Sequence, residues 1–234
     1  MKKMLLASTS TIFGQKYLEY LHNEIKNIFL GCKNILFIPY ARPSGISHLE
    51  YTIKVKTVFN MLGLNIIDYT NENIRSNLEK CDGIFTGGGN TFLLLSKLYE
   101  FNLIDILKNK ISLGTPYLGT SAGSNICGLS IGTTNDMPII EVESFKALGV
   151  LNFNINPHYI DKVDGIEHMG ESRETRINEF HKFNDQFVIG LREGSYLQVQ
   201  GSNIYLKGLK HAIIFKKENE KFEIKNGFNI KNII

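Results

Sequence analysis

The stretch Tyr117-Leu118-Gly119-Thr120-Ser121-Ala122-Gly123-Ser124 decides how this chain is read. An apolar, extended run, Pro116 to Leu118, feeds into Gly-x-Ser-x-Gly, and small residues able to open a helix follow. This is the nucleophile-elbow pattern, a serine held at a sharp strand-to-helix turn. Its logic is steric. The serine sits on strained backbone, and its neighbours must be nearly free of side chains so that other strands can approach. Gly119 and Gly123 supply that room and Ala122 keeps the bulk low. A helix start behind the serine favours developing negative charge. Taken alone, Gly-x-Ser-x-Gly is as often a plain turn as a catalytic one.

Working outward, apolar runs alternate with amphipathic ones. Lys3 to Ala7, Asn34 to Pro39, Leu64 to Tyr69, Asp82 to Thr86 and Thr115 to Leu118 read as buried strands. Between them, helices are expected from Tyr17 to Phe29, Leu49 to Leu62, Asn71 to Lys80, Thr91 to Tyr99 and Leu103 to Ile111. Strands and helices alternating through short links argue for an α/β fold, a mostly parallel sheet covered on both sides. Sites in such folds form outside the carboxyl ends of the strands, where Gly87-Gly88-Gly89 and Ser121 both fall. Beyond Ser121, Leu151 to Ile155 reads as a strand and Arg173 to Phe180 as a helix. Short strands at Phe187 to Leu191, Tyr196 to Val199, Asn203 to Leu206 and Ala212 to Phe215 make a hairpin-rich tail. No repeat or linker interrupts the 234 residues, so a single domain over 1–234 is expected.

The totals narrow the function classes. A net charge of +3, from 26 basic and 23 acidic residues, is too balanced for a nucleic-acid or anionic-membrane binder. Three scattered cysteines without a CxxC argue against a disulfide framework or zinc site and for a reducing compartment. The opening Met1-Lys2-Lys3-Met4-Leu5-Leu6-Ala7 is too short an apolar run for a signal peptide, and no run reaches membrane-spanning length. A cytoplasmic protein is expected.

A catalytic Ser121 requires a base, an orienting acid and an oxyanion hole. Of six histidines, His22, His48, His181 and His211 read as solvated surface residues, and His168 lies in a polar segment. His158 differs: it ends a strand directly after Pro157, which fixes one backbone dihedral. Base and strand-capping histidine are equal readings of it. Two carboxylates compete for the third place. Asp136 lies in Thr133-Thr134-Asn135-Asp136-Met137-Pro138, where a turn role is the plain alternative; Glu193 follows a strand, where pairing with Arg192 is the alternative. The bare amides of Gly88 and Gly89, with that of Ala122, suit an oxyanion hole. A phosphate cradle is the weaker reading, because neither Gly-x-x-x-x-Gly-Lys-Ser/Thr nor Gly-x-Gly-x-x-Gly is matched. Arg173 and Arg176 lie one helix turn apart and offer a two-pronged grip on a carboxylate, or an ion-pair ladder with Glu171 and Glu174.

Seven stretches together resemble the peptidase E group of the S51 serine peptidase family. They are Phe37-Ile38-Pro39, Gly87-Gly88-Gly89-Asn90-Thr91-Phe92, Gly119-Thr120-Ser121-Ala122-Gly123, Thr133 to Ile139, Ile155-Asn156-Pro157-His158, Gly170 to Glu174 and Gly190 to Gly194. The resemblance implies a class I glutamine-amidotransferase-like (flavodoxin-like) three-layer, doubly wound fold. It implies Ser121 as nucleophile, His158 as base, and Asp136 or Glu193 as third member. It places Arg173 on the substrate's aspartate side chain and Asn90 beside it. Thr120 departs from the pattern, standing where bacterial relatives often carry a bulky aromatic, and the segment between His158 and Arg173 is one residue longer.

The expected activity is hydrolysis of dipeptides with an N-terminal aspartate. The alternatives are a cyanophycinase-like S51 peptidase acting on β-linked aspartyl substrates and a non-catalytic binder of small ligands. The chemistry calls for a small peptide substrate and for no metal, organic cofactor, nucleic acid or membrane. It is compatible with a monomer or a homodimer.

Overall fold

The computed structural model describes residues 1–68, 70–162 and 170–233. Strands β1 (Lys3–Ala7), β2 (Ile35–Ile38), β3 (Ile66–Ile67), β4 (Gly83–Thr86) and β5 (Tyr117–Thr120) alternate with helices α1 (His22–Ile28), α2 (His48–Met61), α3 (Ile74–Lys80), α4 (Thr91–Glu100) and α5 (Ile104–Leu113). The strands lie parallel in the order β3-β2-β4-β5-β1. Their side chains divide with a period of two, as a pleated strand demands. Met4, Leu6, Leu36, Ile38, Ile84 and Tyr117 face one core. Leu5, Ala7, Ile35, Phe37, Phe85 and Leu118 face the other. Both faces are therefore covered, which is why these segments read as continuous apolar runs.

The hairpin-rich tail resolves into two destinations. β8 (Ser195–Gln200) and β9 (Asn203–Gly208) form a hairpin that lies antiparallel against β1 and completes a seven-stranded sheet. β6 (Asn154–Pro157), β7 (Val188–Leu191), β10 (Ala212–Phe215) and β11 (Phe222–Ile224) build a separate four-stranded sheet, with β6 parallel to β7. One face of this second sheet joins the first core through Ile155, Ile189, Leu191 and Ile214. Its other face, with Val188, Ile213 and Phe215, is covered by Ile177 of α7 (Arg173–Phe180). Its placement carries His158, at the end of β6, toward the carboxyl edge of the main sheet.

Several boundaries differ from expectation. The helical spacing from Tyr17 resolves into a short 3-10 turn, Glu19–Leu21, followed by α1, because Leu18 takes a left-handed φ of 59° that no α-helix continues. β3 pairs over two residues only; Tyr69, the expected end of that strand, lies outside the described residues. The strand expected at Leu151 to Ile155 begins three residues later and ends two residues later, in register with β7. β11 was hidden by the charged Lys216 to Glu223 stretch around it. His181 is not solvated: it is buried, and its Nε2 donates to the Gln186 carbonyl at 3.2 Å. His22 is half-buried, with an Nε2 that lacks a partner. His168 lies outside the described residues.

Candidate active site

Ser121 stands between β5 and the single turn α6 (Ala122–Asn125) with φ 52° and ψ −111°, a strained conformation for a residue with a side chain. The glycines around it are needed. A Cβ on Gly119 would lie 2.4 Å from the Gly123 carbonyl oxygen, and one on Gly123 would lie 2.2 Å from the Thr86 carbonyl oxygen. Main chain therefore packs against main chain on both sides of the serine. The Ser121 amide donates to the Ala7 carbonyl at 3.0 Å, which ties the turn to β1.

His158 meets this serine. Its Nε2 lies 2.8 Å from Ser121 Oγ, and its Nδ1 lies 2.6 Å from Glu193 Oε1. The imidazole thus bridges hydroxyl and carboxylate, with each ring nitrogen assigned one neighbour. Its backbone is held from three directions. The His158 amide donates to Ser8 Oγ at 2.9 Å, and Ser8 Oγ donates to the Leu191 carbonyl at 2.7 Å. Pro157 precedes it in β6, paired with Leu191 of β7. Asn135 Nδ2 donates to the Pro157 carbonyl at 2.6 Å, and the buried Asn156 donates through Nδ2 to Asn135 Oδ1 at 2.9 Å and to the Thr133 carbonyl at 2.8 Å. The Thr-Thr-Asn-Asp-Met-Pro loop and the Asn-Pro-His strand end are thus one latch.

The two carboxylates separate here. Glu193 is on His158, and Arg192 is not its partner: that guanidinium binds Asp161 at 2.7 Å and Glu223 at 2.6 Å. Asp136 is occupied elsewhere. Its Oδ2 accepts from the Thr91 amide at 2.7 Å, from Thr91 Oγ1 at 2.6 Å and from Thr134 Oγ1 at 3.1 Å, at the first turn of α4. A carboxylate placed there caps unsatisfied amides and complements the helix dipole. Asn90, expected beside the substrate, caps the same helix: its Oδ1 accepts from the Leu93 amide at 3.0 Å and its Nδ2 donates to the Met137 carbonyl at 2.8 Å.

Gly88 and Gly89 sit against the elbow. A Cβ on Gly88 would approach Ser121 Cβ to 3.0 Å and the Thr120 carbonyl oxygen to 3.1 Å. One on Gly89, whose φ is +149°, would lie 2.1 Å from the Ala41 carbonyl oxygen. The flanking amides are spent, Gly87 on Ile38 and Asn90 on Ala41. Among the described residues no main-chain acceptor takes the amides of Gly88 or Gly89. That of Ala122 opens α6, where no preceding turn can accept it. Thr120 is fully buried and its hydroxyl has no partner, so it forms the floor behind Gly88 and not a wall of an open pocket.

Arg173 opens α7, with Ser172 as its N-cap. The expected ladder forms only in part: Arg176 lies 3.7 Å from Glu171, while Glu174 pairs with Lys221 and leaves Arg173 aside. Burial pulls the Arg173 guanidinium below the usual arginine range, Arg176 adds to this, and the nearby Asp136 charge opposes both. Among the described residues no carboxylate forms an ion pair with Arg173. Ser8 belongs to no motif; its one signal in the sequence is a hydroxyl directly after the apolar run Met4 to Ala7.

The sequence model of peptidase family S51 matches residues 4–207. The chain belongs to peptidase family S51. It is 43% identical over 230 residues to the peptidase E of Nostoc sp., covering 95% of this chain and 92% of that one. It is 39% identical over 227 residues to a Drosophila melanogaster protein named "Probable alpha-aspartyl dipeptidase", covering 95% and 93% of the two chains. Among solved structures, a peptidase from an acI-B1 actinobacterium superposes with a TM-score of 0.72 at 18% identity, over 98% of this chain and 96% of the other. At that identity the likeness speaks for the fold.

Proposed function

We propose that this S51 peptidase is a serine-type dipeptidase that cleaves Asp-Xaa dipeptides after the N-terminal aspartate. The observation that carries the reading is the Ser121–His158–Glu193 chain, with contacts of 2.8 and 2.6 Å, on a strained elbow facing unoccupied amides. His158 Nε2 takes the Ser121 proton as Oγ attacks the peptide carbonyl. Glu193 holds the imidazole in the tautomer that leaves Nε2 free to accept, and stabilises the imidazolium that forms. The amides of Gly88, Gly89 and Ala122 receive the oxyanion. His158 then passes its proton to the departing amine as the carbon–nitrogen bond breaks. Water, deprotonated by the same imidazole, attacks the acyl-enzyme and releases aspartate.

Arg173, which forms no ion pair with a carboxylate among the described residues, receives the aspartate side chain. Asp136 is the positioning carboxylate of this region: it fixes the first turn of α4 and balances the Arg173 charge. Cys32, Cys81 and Cys127 are all free thiols, which supports a reducing, cytoplasmic setting.

The test compares wild type and Ser121→Ala on α-Asp-Leu and β-Asp-Leu. Wild type is expected to cleave the α-linked peptide and the serine variant to fail on both while keeping its thermal transition. Cleavage of the β-linked peptide alone, or full turnover in the variant, overturns the reading.

A further inference from the structure

The five arginines of this chain sort by what they face. Arg75 pairs with Glu79, Arg176 with Glu171, and Arg192 with Asp161 and Glu223. Arg42 and Arg173 remain; among the described residues neither forms an ion pair with a carboxylate. Arg42 is half-buried, and its Nε is enclosed without a hydrogen-bond partner. Leaving a guanidinium partly desolvated and unpaired is costly, and a site that binds an anion repays that cost when the anion arrives.

Arg42 lies beside the Gly87-Gly88-Gly89 run. It follows Ala41, whose carbonyl accepts from the Asn90 amide at 2.6 Å and would be struck by any side chain on Gly89. Its guanidinium carbon lies 4.9 Å from the centre of the Tyr51 ring. The Tyr51 hydroxyl in turn lies 2.7 Å from where a Gly87 side chain would begin. Arg42 is therefore anchored on the far side of the same glycine run that offers its amides beside Ser121. Tyr17, 3.4 Å from the Tyr51 hydroxyl, carries Lys54 over its ring at 4.6 Å, so a second positive charge lies close by.

The two unpaired arginines stand on opposite faces of the sheet. Tyr51 and Tyr17 belong to the core shared with α1 and α2. Arg173 leads α7, whose Ile177 packs on the outer face of the second sheet. Ser121 and Gly88 lie just past the ends of β5 and β4, at the carboxyl edge of the main sheet. An Asp-Xaa dipeptide carries two carboxylates, one on each side of the scissile bond. Arg173 accounts for the first.

We propose that Arg42 binds the free C-terminal carboxylate of the leaving residue and so restricts the enzyme to dipeptides. This rests on the dipeptidase reading above. A longer peptide places an uncharged amide where Arg42 offers a guanidinium, and leaves the cation unpaired beneath it. Discrimination of this kind, against a ligand that leaves a built polar group unmatched, reaches large factors.

The experiment measures kcat/KM for Asp-Leu and for Asp-Leu-amide, which differ only in the terminal charge. It uses wild type, Arg42→Gln and Arg42→Lys, each checked for folding by its thermal transition. Wild type is expected to favour the free acid by about 10- to 150-fold, the span of a charge-assisted hydrogen bond of roughly 1.5–3 kcal/mol. Arg42→Gln brings the acid-to-amide ratio close to one, and Arg42→Lys restores part of it. An unchanged ratio in Arg42→Gln, or a wild type indifferent to the terminal charge, overturns the role of Arg42 while the aspartyl reading stands. Failure of wild type on both peptides sinks the dipeptidase reading itself, and this proposal with it.

Discussion

His158 Nδ1 and Glu193 Oε1 lie 2.6 Å apart, so of two carboxylates that the sequence left level it is Glu193 that touches the imidazole. Asp136 is bonded to Thr91 and Thr134 instead. Glu193→Gln and Asp136→Asn should therefore fail differently. Loss of the orienting carboxylate is expected to lower kcat by about 100- to 10,000-fold. A small uncharged phosphonate separates the two, since it reports Ser121 nucleophilicity without substrate recognition. Glu193→Gln should slow its capture by a comparable factor and Asp136→Asn should leave it near the wild-type rate. Equal slowing in both would return Asp136 to the proton chain.

Arg173→Ala should act on choice of substrate. Its loss removes the grip on the aspartate side chain and leaves Ser121 capture by the uncharged phosphonate in place. Preference for Asp-Leu over Asn-Leu should fall by roughly 10-fold or more, as expected for a charge-assisted hydrogen bond. Unchanged preference would take Arg173 out of the pocket.

Gly88 and Gly89 should differ in kind. An alanine at Gly88 meets Ser121 Cβ at 3.0 Å, a clash that a small shift relieves. That shift moves the amide away from the oxyanion, so Gly88→Ala should fold and lose about 100- to 1,000-fold in kcat. An alanine at Gly89 meets the Ala41 carbonyl at 2.1 Å on left-handed backbone, so Gly89→Ala should fail to accumulate as folded protein. A fully active Gly88→Ala enzyme would remove that amide from the mechanism.

The latch behind His158 should show in stability as well as rate. Asn156→Ala leaves the Thr133 carbonyl and Asn135 Oδ1 without the donor they share. The expected cost is about 1–3 kcal/mol in denaturant unfolding, with a drop in kcat as the imidazole loosens. Wild-type stability in that variant would contradict the role given to the latch.

Burial holds the His181 imidazole below its ordinary value, with Lys217 acting in the same direction and the bond to Gln186 against it. The unfolded chain therefore binds the proton more readily than the folded one. Stability rises with pH through the ordinary histidine range and is lost on acidification below about pH 6.5. Asp161 and Asp185, held low by hydrogen bonds from Arg192 and Lys217, contribute above the ordinary aspartate range and lose that only under more acid conditions, below about pH 4. Thermal melts between about pH 7 and 5 should thus show a slope that is shallower in His181→Gln. An identical slope would mean that other groups set it.

The central sheet was legible because both its faces are buried. Runs such as Ile35 to Ile38 carry no polar interruption, and each helix announces itself by spacing or cap, as Ser47 and Glu50 do at α2. The tail was legible as strands but not as sheets. Nothing local in Tyr196 to Val199 says that it pairs with β1, whereas Val188 to Leu191 pairs with β6 and β10; that choice lies in distant partners. At the site, Ser121 and His158 carry marks in their own neighbourhoods, a glycine-framed turn and a proline-fixed strand end. Arg42 carries none. The role proposed for it depends on the packing of Tyr51, Ala41 and Gly89 and on the lack of an ion pair among the described residues.

The most direct measurement is peptide mapping after reaction with a fluorophosphonate. Wild type should carry one adduct, on the peptide containing Ser121, and Ser121→Ala should carry none. Labelling at another serine, or an inert wild-type protein whose fold is intact, would contradict the account at its base.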